Sequence, residues 1–167
     1  PLAERLVGID VSEGMLEVAR AKGRDGSSEG AGDLYDELLA ADAAAGLGRR
    51  PPGSVDHIVA GDLFIYIWSV DRVLQACAAA LRQNGTVTFT TERMEEEEAE
   101  IGWVERESER FAHSRAYIRA ACERQGLNLE HVEGVALRRE FKARRDGRSG
   151  GGPAGDGAPG AAPGFLP

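Results

Sequence analysis

An α/β fold built on a parallel sheet, with helices on both faces, is expected from three observations. Short apolar runs of strand length alternate with stretches of helical period, and capping or turn residues mark the joins. Three aspartates, Asp10, Asp42 and Asp62, fall at or just past the ends of successive strand-like runs. The order strand, helix, strand, loop, strand, helix, strand, helix, strand is that of a parallel α/β sheet. In such sheets ligands bind beyond the carboxyl ends of the strands.

The first strand is expected over residues 5–9, a short apolar run of the kind covered on both faces. Ser12 then caps a helix over 13–22, with Met15, Leu16 and Ala19 inward, basic residues in its last turn and Gly23 as its stop. "YDELLAAD" reads as a second strand ending at Asp42, and "DHIVAGDLFIYI" supplies a third over 57–60, with Asp62 just beyond. Ser69 is placed as the cap of the next helix, because Val70, Val73, Leu74, Cys77 and Leu81 share one face, and Asn84 and Gly85 as its end. "GTVTFTTE" is rich in β-formers and gives a fourth strand, followed by a charged connection. Ser114 caps a last helix through Arg124, Gly126 closes it, and "LNLEHVEGVALRREF" is read as the final extended segment or segments. The stretches 23–32 and 46–54, rich in Gly, Ser and Pro, are read as surface loops.

Length and composition set the bounds. The chain has 167 residues, 42% hydrophobic and 29% charged, enough for one domain with a single core. Domain organisation is read as 1–145 for the folded part and 146–167 for a disordered Gly/Pro/Ala-rich tail, which buries little. No apolar run approaches the roughly 20 residues of a membrane span, and the first residues lack a signal-peptide pattern. A cytoplasmic location and no membrane partner are the default expectations. A net charge of -8 argues against nucleic acid as a partner, although Arg138, Arg139, Lys142, Arg144 and Arg145 form a local basic patch. Cys77 and Cys122 sit within apolar helical patterns and suit buried thiols better than a disulfide, and no metal site follows from them.

The blocks "LVGIDVSEGMLEVARAKG", "LYDELLAAD", "VDHIVAGDLFIYI", "VLQACAAALRQNGTVTFTTE" and "RFAHSRAYIRAACERQGLNL" carry a resemblance. In this order they resemble the class I S-adenosylmethionine-dependent methyltransferases. They are most similar to the type 11 branch, including predicted methyltransferases with tetratricopeptide repeats. The likeness covers the chain from Leu2 to about Glu140, and "DVSEGML" and "FAHSRAYI" are its most specific blocks. It implies a Rossmann-like class I methyltransferase sheet and S-adenosylmethionine as cofactor. It also implies methyl transfer to an acceptor that the sequence does not identify.

The resemblance further implies a set of cofactor contacts. Asp10, with Val11 beside it, matches the acidic residue that accepts from both ribose hydroxyls, a task for a group that accepts two donors at once. Met15 matches a position beside the adenine ring, with a plain core methionine as the equal alternative. Asp42 matches the acid that accepts from the adenine amino group, with the backbone of Ala43 next to it. Asp62 falls near the block where the methionine moiety and the acceptor meet.

One part of the family pattern is missing. The family has a glycine-rich turn after its first strand, where small residues let the backbone approach the ligand. This chain opens instead at "PLAE", which resembles the end of the helix after that turn. The fold is therefore expected to lack the first strand and glycine-rich turn, leaving neighbouring strands unpaired. A truncated gene model or partial domain is expected ahead of a degenerate homologue, with impaired cofactor binding. A non-catalytic methyltransferase-like interaction module is the alternative, and a nicotinamide-cofactor oxidoreductase is disfavoured because it needs the same turn.

Other candidates for chemistry are few. Tyr66 and Trp68 are open between lining an acceptor pocket and packing over the sheet. His113, just before a helix, is read as structural ahead of a base or substrate contact. "EEEEAE" at 95–100 reads as a solvated segment, because adjacent carboxylates on a helix point in different directions. No catalytic residue is assigned, since methyl transfer depends largely on positioning. Oligomeric state leaves no mark on the sequence.

Overall fold

The computed structural model describes residues 3–24, 34–94 and 102–135. One compact unit runs over Pro1–Gly134 and contains every element below; of the second, Val135–Pro167, only Val135 is among the described residues. In order they are β1 (Val7–Asp10), α1 (Glu13–Arg24), β2 (Glu37–Ala40), α2 (Ala43–Leu47), β3 (Val55–Ala60), a 3-10 turn (Phe64–Tyr66) and α3 (Asp71–Ala80). Then follow β4 (Leu81–Phe89), β5 (Glu92–Arg93), β6 (Trp103–Glu105), β7 (Phe111–His113) and α4 (Arg115–Arg124).

The strands form three small sheets among the described residues, rather than one continuous sheet. β1 pairs with β2 and β3 with β4, both in parallel, while β7 lies between a parallel β5 and an antiparallel β6. Among the described residues, β1 and β3 each have a strand neighbour on one side only. Element order reveals the parallel βαβ connections but not which strands become neighbours.

Most of the core lies around α3. Val70, Val73, Leu74, Cys77 and Leu81, the expected apolar face, are all buried, and all but Leu81 join Phe64, Ile118, Ala121 and Cys122 from the 3-10 turn and α4 in one cluster. Phe64 and Phe89 pack as a tilted ring pair with centroids 4.6 Å apart. Asp71 in the first turn of α3 takes both arms of Arg124 from the end of α4, at 2.8 to 3.0 Å, which fixes the two helices in register. Glu37 at the start of β2 holds Arg50 through two bonds of 2.8 Å and Arg5 through a third, and the Arg50 hydrogen bonds keep its carboxyl below the usual range.

Capping follows the sequence at two helices. The Ser12 hydroxyl accepts from Met15 N–H at 3.3 Å, and that of Ser114 from Tyr117 N–H at 3.1 Å. Gly126, at φ +72°, closes α4 in the left-handed conformation, with Leu127 N–H returning to the Cys122 carbonyl.

Several expectations need correction. Helix α1 runs past Gly23 to Arg24. Ser69 does not cap α3: Val70 holds the N-cap position, its N–H is bonded to the Tyr117 hydroxyl, and Ser69 Oγ meets the Asp71 carboxylate instead. The helix stops at Ala80, not at Asn84, because Leu81 turns extended and pairs with Val55. Asn84 at φ 62° and Gly85 then absorb a slip in the β3–β4 register; a Cβ on Gly85 would lie 2.9 Å from the Arg82 carbonyl. The supposed loop from 46 begins inside α2, where Gly46 and Leu47 are buried. Residues 127–135 form no strand. Residues 25–33, 95–100, the basic patch from Arg138 and the 146–167 tail lie outside the described residues.

Candidate functional site

The end of the β1–β2 pair brings two of the three aspartates together. Asp10 is the last residue of β1 and stands across from Ala40, and its carbonyl accepts from Ala41 N–H at 3.0 Å. Asp42 therefore sits two residues past the point where the strands last pair. Asp10 Oδ1 accepts from Ser12 N–H at 2.8 Å, a local turn that aims the carboxylate beyond the strand end. Asp42 Oδ1 caps α2 through Ala45 N–H at 3.1 Å and meets the Arg72 guanidinium of α3 at 3.2 Å. Both carboxylates thus have structural duties on one oxygen.

Val11 and Met15 are exposed, at 73% and 56%, which removes the core reading of Met15; Leu16 takes the buried place at 5%. Helical phase explains the exchange, since neighbours on a helix face about 100° apart. Met15 and Asp10 both border an open cleft of about 250 Å³ between α1 and the β1–β2 pair, which Tyr35 and Leu38 also line. Ala43 opens α2 beside Asp42, and neither residue lines that cleft.

Asp62 lies at the end of the other sheet. It follows β3 with φ 53°, an uncommon conformation for a residue with a side chain, and its N–H is held by the Thr90 hydroxyl at 2.9 Å. The next residue of that strand end, Thr91, places its hydroxyl 2.8 Å from His113 Nδ1. His113 Nε2 donates to the Ile67 carbonyl at 2.9 Å, so Nδ1 is the ring's acceptor and Thr91 donates to it. Burial pushes the His113 pKa down, against the carbonyl contacts, which raise it. The ring is 3% exposed and stacked on Tyr117. This geometry makes His113 a pin joining β7, the β4 end and the 67–68 backbone.

Tyr66 is 62% exposed at the end of the 3-10 turn. Trp68, 56% exposed, stands 5.6 Å from Trp103, which stands 5.6 Å from Phe111 edge to face. The three rings come from three separate segments. Sequence reading assigned Trp103 no role because it lies in what scans as a charged connection, and it quoted Phe111 only within the block "FAHSRAYI", since nothing local shows that these rings meet Trp68.

Parallel βαβ units with acidic residues at the strand ends define a Rossmann-like fold of the class I methyltransferase type. The methyltransferase-domain family of type 11 matches residues 1–89, and the chain belongs to that family. Comparison with curated protein sequences gives no match. Among solved structures, a possible exported protein from Bordetella parapertussis is 19% identical with a TM-score of 0.55, over 73% of this chain and 46% of its own. The YcgJ protein from Bacillus subtilis is 17% identical with a TM-score of 0.56, over 73% and 52%. An S-adenosylmethionine-dependent methyltransferase from Mesorhizobium loti is 22% identical with a TM-score of 0.51, over 78% and 67%. At such identities the likeness is one of fold. The chain spans about half the length of the first two. No described helix is long and apolar enough to cross a membrane.

Proposed function

We propose that the chain serves S-adenosylmethionine-dependent methyl transfer, with the ribose and adenine of the cofactor held at the end of the β1–β2 pair. The observation that supports this most is the placement of Asp10 and Asp42 side by side past two parallel strands, with Met15 exposed next to Asp10. Asp10 accepts from the ribose hydroxyls, Met15 packs beside the adenine, and Asp42 with the Ala43 backbone receives the adenine amino group. Asp62 stands toward the acceptor side. These residues suit the adenosine half of the cofactor: a carboxylate for two hydroxyls, and an apolar side chain for a ring.

The chemistry that the cofactor supplies is an electrophilic methyl group on a sulfonium. Bound at the strand ends, it would offer that methyl to a nucleophilic atom of the acceptor, with the sulfur leaving as the thioether of S-adenosylhomocysteine. The chain's part is to position the acceptor and exclude water.

Titration calorimetry or NMR with S-adenosylhomocysteine tests the reading. Asp10→Ala is expected to weaken binding by about 1.5–3 kcal/mol, the range for hydrogen bonds to a charged group. Unchanged affinity would remove Asp10 from the site. A second reading, a non-catalytic interaction module, draws on the one-sided pairing of β1 and β3, whose open edges suit strand addition. Complete absence of S-adenosylhomocysteine binding would favour it.

A further inference from the structure

We draw no further inference here: the strongest candidate, the open cleft between α1 and the β1–β2 pair that Asp10, Met15, Lys22 and Tyr35 line, belongs at its Asp10 end to the site already described, and nothing among the described residues shows what covers the exposed Met15, Val18 and Leu34 along the rest of it.

Discussion

His113 Nε2 lies 2.9 Å from the carbonyl oxygen of Ile67, 46 residues earlier in the chain, and this bond ties β7 to the segment that presents Trp68. Its energetic consequence is pH dependence. Burial lowers the folded-state pKa of His113 below its ordinary value of 6.5, so the unfolded chain binds the proton more readily. The stabilisation is therefore complete above the ordinary value and is lost as pH falls through the folded pKa. Thermal unfolding across mildly acidic pH should show this loss, and His113→Gln should flatten it. The same variant should be less stable at neutral pH by about 1–3 kcal/mol, the cost of an unmade buried bond.

Cys77 and Cys122 should be inert in the folded chain. Burial, and then the neighbouring Cys122, raise the Cys77 thiol to about 11, and burial raises Cys122 as well. The thiolate is the reacting species, so both groups lack it near neutral pH. A thiol assay with Ellman's reagent should detect neither cysteine until denaturant is added, and both afterwards. Rapid reaction of the native chain would show that the α3–α4 contact opens.

Asp42 carries two duties that substitutions can separate. Asp42→Ala removes both the α2 cap and the Arg72 partner and should cost about 1 kcal/mol of stability. Asp42→Ser retains a capping oxygen and should recover most of that loss in a denaturant titration. If Asp42 also receives adenine, S-adenosylhomocysteine affinity should fall in the serine variant although stability does not.

Gly46→Ala gives a test in which the sign is diagnostic. Alanine favours helix over glycine by about 1 kcal/mol in an isolated helix. Here a Cβ on Gly46 would lie 2.6 Å from Ile9 Cγ2, a branched and stiff side chain of β1. Overpacking of this kind costs about 1–3 kcal/mol, so the substitution should destabilise the chain in a thermal melt. A stabilising result would mean that α2 does not seat against β1.

What could be read from the sequence were features of local origin. The face formed by Val70, Val73, Leu74 and Cys77 is buried as the spacing requires, and Ser12 and Ser114 cap as their positions require. Asp42 was legible as a strand-end acid, yet the helix it caps was not, because Ala43–Leu47 is short and leads into Gly and Pro. Short β5, β6 and β7 exist by virtue of pairing with one another, which no window of sequence displays. The approach of Trp68 to Trp103 and the contacts of His113 are of the same kind, each made across tens of residues. Asp10 was placed correctly at a strand end, but its bond to Ser12 depends on the turn that the chain then takes.

The one-sided pairing of β1 divides the labour of holding the molecule together unevenly. Leu16 is buried but stands outside the main apolar cluster, whereas α3 and α4 supply most of it, and Met15 and Val18 of α1 face solvent. The β1–α1–β2 segment is thus the part with least to lose on opening, and native-state hydrogen exchange should find it released at lower denaturant than α3. That segment also carries Asp10. A ligand held there is favoured only while the segment is closed, so its binding free energy includes the closing of that segment, and saturation should raise exchange protection in β1 and β2 well beyond the residues it touches.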